Sequence, residues 1–272
     1  MPVKKDPSGR HYVAVETEVP GTPEEVWQAI ATGPGISSWF VPATVEEREG
    51  GAITLDFGPG MQSQSVVKVW DPPRRFVGEG DMGPGSPAVA DEWTIEAKSG
   101  GVCRVRVVHS WFASTDDWDH QYEDVEKGWP AFFRILRLYL AHFSGQPSEL
   151  IQLMAMGTEN KSAVWRKLLG SLGLARLAEG QRAETAPGAP PLAGIVERIV
   201  DEELFVRLEE PTSGVAHFFA MAMGDQAYLS LSLYLYGPQA KAIAAREAPV
   251  WQAWINGVFP PANAATEGAS KP

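Results

Sequence analysis

From Trp118 to Phe143 the large apolar residues fall at Trp118, Tyr122, Val125, Trp129, Phe132, Leu136, Tyr139 and Phe143. The steps alternate between four and three, which lays one continuous stripe along a helix. A helix of about 26 residues runs roughly 39 Å at 1.5 Å per residue, enough to lie across a whole sheet. Asp116, Asp117 and Asp119 stand at its start, where the helix dipole favours negative charge. Pro130 has no amide hydrogen, so a kink or break is expected beside Gly128. A coiled coil would carry the same stripe, but the segments before this helix read as strands that need a cover.

Residues 12–19 alternate, with Val13, Val15, Thr17 and Val19 on one face and Glu16 and Glu18 on the other, which predicts a half-buried strand. Thr22, Pro23 and Glu25 then make a capping box for a helix carrying Val26, Trp27 and Ile30. That helix is expected to stop at Gly33-Pro34-Gly35, with a short second helix over 36–40. Strands are predicted at 52–57, 63–70, 75–80, 92–97 and 102–112, separated by turns at Gly58-Pro59-Gly60, Asp71-Pro72-Pro73 and Ser99-Gly100-Gly101. In the last strand Cys103, Val105, Val107, His109 and Trp111 share a face. Residues 1–10 read as a loose polar leader and 82–87 as a glycine- and proline-rich loop. The consecutive antiparallel run, with helices on one side, is an α+β layout.

After a linker at 144–149 the pattern returns. Residues 151–165 match 13–27, with Val164-Trp165 repeating Val26-Trp27 and Asn160 in the capping place of Thr22. Residues 195–206 resemble 66–77, and 227–237 resemble the strand 103–112. A shorter helix over 240–258 ends the pattern. An internal duplication follows. The expected domains are 1–145 and a diverged second copy at 150–259, with a disordered tail at 260–272. The strand at 228–236 has Leu229, Leu231, Leu233 and Leu235 on one face. Tyr228, Ser230, Ser232, Tyr234 and Tyr236 make the other, a composition suited to an interface.

Composition narrows the function classes. Of 272 residues 44% are hydrophobic, enough for a substantial core, and the net charge is −11, with no basic stripe for nucleic acid. Cys103 is the only cysteine, so neither a disulfide within the chain nor a cysteine metal cluster can form. The start lacks the apolar core of a signal peptide and no apolar run reaches a membrane span, so the expected location is cytoplasmic.

The segments VPGTPEEVWQAI (19–30), SSWF (37–40), Gly50-Gly51, VWDPPRRF (69–76), GGVCRVRVVHSWF (100–112) and GW-x-x-FF (128–133) together resemble the START-like (SRPBCC) superfamily, in its branch of homologues of the activator of the heat-shock-protein-90 ATPase. The likeness spans 12–143; the second copy carries it weakly, without DPPRRF or the GW pair. The resemblance implies two helix-grip domains, each an antiparallel sheet curved around a long C-terminal helix, with a cavity between. It implies no shared cofactor and no shared catalytic residues. Members of such families bind apolar molecules or lipids, act as cyclases or hydrolases, or stimulate a chaperone.

The candidate site is therefore the space between sheet and long helix, lined by Trp39, Phe40, Phe57, Trp93, Val107, His109, Trp111, Trp129 and Phe133. Aromatic walls with one or two polar groups suit an apolar ligand; the same residues can also simply fill a solid core. His109 is either a ligand-bonding or acid–base group or a satisfied strand histidine; a buried polar partner beside it would favour an enzyme. Asp116, Asp117, Asp119 and His120 read as helix-start acids rather than a metal site, and Cys103 as a buried, inert thiol. Arg74 and Arg75 either grip an acidic group or cover a solvated turn. The leading expectation is non-catalytic binding of an apolar small molecule or lipid, without cofactor or metal. A protein-interaction role and an enzyme using His109 are the alternatives. The oligomeric state is left open.

Overall fold

In the computed structural model, residues 3–5, 10–58, 60–81, 88–112 and 119–261 are described (of 81, 112 and 119–127 the backbone only). The chain divides into two compact units, Met1–Gly145 and Gln146–Pro272.

The first unit runs β1 (Lys4–Lys5), β2 (Arg10–Pro20), α1 (Pro23–Ala31), α2 (Gly33–Ser37), β3 (Ala43–Val45), β4 (Ala52–Asp56), β5 (Gln62–Asp71), β6 (Arg75–Asp81), β7 (Ala88–Ala97), β8 (Val102–Phe112) and α3 (Asp119–His142). Its described strands form one antiparallel sheet in the order β1-β2-β8-β7-β6-β5-β4-β3. The helix α3 lies against β2 and α1. Its apolar stripe is buried at Trp129, Leu136 and Tyr139 and at Phe143 just past its end, while Phe132 on the stripe is half-buried and Phe133 beside it is buried.

Three local expectations change. Lys4 and Lys5 pair with Tyr12 and His11, so part of the leader is an edge strand. The first helix stops at Ala31, just before Gly33-Pro34-Gly35 as expected, but the second helix starts within that segment rather than at Ile36: Thr32 caps α2 by accepting from the Gly35 amide, with Pro34 in the first turn. The reason for glycine is spatial, because a Cβ on Gly35 would sit 1.8 Å from the Gln28 carbonyl oxygen of α1. The long helix is unbroken through Pro130. Proline removes one backbone bond, to the carbonyl of Glu126, and buried Trp129 and Phe133 on either side hold the turn in place.

The second unit runs β9 (Ser148–Gly157), α4 (Lys161–Leu172), β10 (Arg182–Glu184), β11 (Ala193–Val200), β12 (Glu203–Glu210), β13 (Gly214–Met223), β14 (Gln226–Tyr236) and α5 (Ala240–Val258). Its sheet order is β9-β14-β13-β12-β11-β10. That repeats β2-β8-β7-β6-β5-β4, so the fold is α+β with two helix-grip domains. Asn160 caps α4 by accepting from the Ala163 amide, the counterpart of Thr22 accepting from Glu25 in α1. The leucine face of β14 packs with Trp165, Leu168, Phe218 and Trp251 into one apolar core. On the opposite face Tyr228 is half-buried, whereas Tyr234 and Tyr236 are only 2% and 1% exposed. Burial pushes the Tyr234 phenol well above its ordinary value. Residues 262–272, expected as a tail, lie outside the described residues, as do 82–87. Among the described residues no helix is long and apolar enough to cross a membrane.

Candidate functional site

The β7–β8 hairpin turns at Gly100-Gly101 and is closed by the Lys98 amide donating to the Val102 carbonyl at 2.8 Å. Its register sets Ile95 opposite Val105, Trp93 opposite Val107 and Asp91 opposite His109. Strand pleating puts all six on the face that meets the helices. Above them α3 presents Trp129 and Phe133. From the side, the turn after α2 delivers Trp39 and Phe40, and Trp39 is pinned by its indole N–H donating to the Ala29 carbonyl at 2.9 Å.

These rings converge on Trp129. Its ring centre lies 5.2 Å from Trp93, 5.4 Å from Phe133, 5.6 Å from Phe40 and 6.5 Å from Trp39. Phe40 in turn meets Phe57 at 5.7 Å and Phe132 at 4.5 Å, both edge to face. Such T-shaped contacts place a positive ring edge on a negative face. The inner members Trp39, Trp93, Trp129 and Phe133 are buried, while Phe40, Phe57 and Phe132 are half-buried and reach the surface near exposed Met61. Val107 lies fully buried beside Trp93. Among the described residues Trp111 packs instead with Val13, Val3 and Val89 and stands edge-on to His11.

One polar chain enters the rings. The Trp129 indole Nε1–H donates to His109 Nε2 at 2.6 Å. The two ring planes are inclined by 29° with their centres 5.2 Å apart. On the other side His109 Nδ1 contacts Asp91 Oδ1. An indole nitrogen can only donate, so Nε2 is the acceptor and the imidazole proton belongs on Nδ1, beside an Asp91 oxygen that it approaches closely without hydrogen-bond alignment. His109 is 9% exposed, while the Asp91 side chain is 40% exposed and keeps contact with water. Both ring nitrogens of His109 are thus in contact, Nε2 with the indole donor and Nδ1 with a carboxylate oxygen.

Asp91 and Phe132 were missed in the sequence reading. For Asp91 a signal existed: in a hairpin turning about Gly100, residue 91 falls opposite residue 109. Phe132 was on the helical stripe already.

The remaining candidates resolve simply. Asp116, Asp117 and the side chains of Asp119 and His120 lie outside the described residues. Among the described residues no group of three or more His, Cys, Asp or Glu is placed to hold a metal. Cys103 is buried, its thiol donating toward the Gly21 carbonyl at 3.4 Å, and burial followed by Glu24 and Glu25 raises its pKa. Arg74 grips Asp71 through Nε and Nη2 at 3.1 and 2.9 Å on the exposed turn, and Arg75 pairs with Glu92 at 2.8 Å.

A sequence model of the Activator of Hsp90 ATPase homolog 1-like protein family matches residues 20–141. No curated protein matches the chain. Among solved structures, the di-domain ARO/CYC BexL from the BE-7585A biosynthetic pathway is similar at 14% identity over 96% of this chain and 99% of its own, with a TM-score of 0.43. DynU16, from the dynemicin biosynthetic locus, is similar at 18% identity over 90% and 96%, with a TM-score of 0.43. The Aha1 protein of Colwellia psychrerythraea, solved as a dimer, is similar at 20% identity over 49% of this chain and 98% of its own, with a TM-score of 0.42.

Proposed function

We propose that this chain, which through residues 20–141 belongs to the Activator of Hsp90 ATPase homolog 1-like family of the START-like superfamily, binds an apolar small molecule or lipid between the sheet and long helix of its first unit. The observation that carries this reading is the ring network around Trp129, which runs from buried Trp39 and Trp93 out to half-buried Phe40, Phe57 and Phe132. A packed apolar core has no need to end in three half-buried phenylalanines at one edge. An apolar ligand seated there would remove ring surface from water at about 25 cal/mol per Å² and gain ring contacts. Trp93, Val107, Trp129 and Phe133 would form its floor.

A second reading is favoured by the Asp91–His109 pair, which has the form of an acid–base dyad. Its basic nitrogen is already bonded to Trp129, so catalysis by this pair requires the indole to release it.

Native mass spectrometry of the purified chain, with organic extraction of whatever travels with it, tests the proposal. A reproducible small-molecule adduct, lost in a folded Phe40→Ala or Phe133→Ala variant, is the expected result. An adduct-free mass, together with no binding of added apolar probes, would overturn it and move the weight to a protein partner.

A further inference from the structure

We infer that the site selects apolar ligands carrying an uncharged hydroxyl, and that this hydroxyl inserts between Trp129 Nε1 and His109 Nε2; the inference rests on the binding reading above. Where the rings converge, the two facing polar atoms satisfy each other at 2.6 Å. A ligand that reaches Trp129 from the half-buried rim at Phe40 and Phe132 must either leave that bond intact and meet only hydrocarbon, or part it. Parting it exposes one donor, the indole N–H, and one acceptor, the imidazole Nε2. The acceptor cannot switch to a donor at no cost, because the imidazole proton would have to leave the opposite nitrogen, where the Asp91 carboxylate lies in contact.

The entering group must therefore accept from Trp129 and donate to His109. A hydroxyl does both at one oxygen: its lone pair takes the indole hydrogen and its own hydrogen goes to Nε2. An ether or carbonyl oxygen satisfies the indole and leaves Nε2 buried without a partner. A carboxylate has no donor and brings a negative charge toward Asp91. An ammonium has no acceptor. An aromatic hydrocarbon satisfies neither atom. Leaving one of these buried atoms unpaired is the penalty that separates the classes. No covalent step is involved; the two hydrogen bonds replace one.

The test uses the full chain and three size-matched probes, 2-naphthol, 2-methoxynaphthalene and naphthalene, titrated calorimetrically at neutral pH. The indole N–H resonances are followed in parallel by nuclear magnetic resonance. The expected result is that naphthol binds at least tenfold more tightly than the methyl ether and shifts the Trp129 indole signal. In His109→Phe that preference is expected to vanish while naphthalene binding persists. Should His109→Phe fail to fold, Trp129→Phe replaces it. That variant frees Nε2, so naphthol should keep its preference over the ether and bind more tightly than to the parent chain. Equal affinities for naphthol and its ether in the parent chain overturn the inference and leave the binding reading standing. So does a preference that survives in folded His109→Phe. Failure of all three probes to bind overturns both.

Discussion

Trp129 combines two roles that are separable by substitution. Its ring fills the junction between α3, the turn after α2 and the sheet, and its N–H satisfies a histidine that is otherwise buried among rings. Trp129→Phe keeps most of the ring and deletes the donor. The expected cost is about 1–3 kcal/mol in urea unfolding, the usual penalty for stranding one buried acceptor. Loss of a tryptophan side chain outright, as in Trp129→Ala, removes about 3–5 kcal/mol and does not distinguish packing from binding. If Trp129→Phe is neutral, His109 has found water instead and the rings are less closed than their contacts imply. His109 was legible as the one polar residue on an apolar strand face. Its tautomer was not, because that depends on which nitrogen meets a donor and which meets a carboxylate.

Capping and turn chemistry decided the elements wherever the signal was local. Thr22 with Glu25, and Asn160, sit at the helix starts that their positions announced. The Gly-Pro-Gly segment follows the end of α1 as expected and also begins α2, because the same residues that end a helix can begin one, and only the approach of α2 to α1 fixes where the second starts. The start of α4 is further tied to the β11–β12 turn. Glu202 there accepts from Lys161 Nζ at 2.6 Å and from Ser162 Oγ at 2.6 Å. These hydrogen bonds, that from Lys161 foremost, hold the Glu202 carboxyl below its ordinary value. A carboxyl depressed in the folded state adds stability above its unfolded pKa, and that contribution is lost as pH falls through the folded pKa. Glu202→Gln is therefore expected to lower the urea midpoint at pH 7 and to lose this effect progressively as the pH drops below about 4, the unperturbed carboxylate range. A difference that is constant across pH would assign the effect to packing.

Across the molecule, the two units share a strand order but not an inner surface. The first offers Asp91, His109 and a dense set of rings to its helices. The second offers Leu229, Leu231, Leu233 and Leu235 on β14 with Phe218 beside them on β13, packed with Leu168 and Trp251 of the helices. We take the second unit as the diverged copy and place the ligand function wholly in the first. A fragment of residues 1–145 is accordingly expected to bind an apolar probe with the affinity of the full chain within a factor of about three, that is, within roughly 0.7 kcal/mol. Calorimetry on both decides it, and a loss of tenfold or more in a folded fragment would mean that the second unit supplies part of the site.

Periodicity alone was enough for the long helix and the alternating strands, because each rests on residues two to four places apart along one element, and the repetition of one domain plan was legible from matching segments such as 13–27 and 151–165. The hairpin turn at Gly100 even contained the pairing of Asp91 with His109. The packing of Trp111 with Val13 and Val89, the continuity of α3 through Pro130 and the bond from Trp129 to His109 were settled only by tertiary packing. Each depends on how far apart two distant segments come to rest, and a sequence pattern states which face a side chain is on without stating what it meets there.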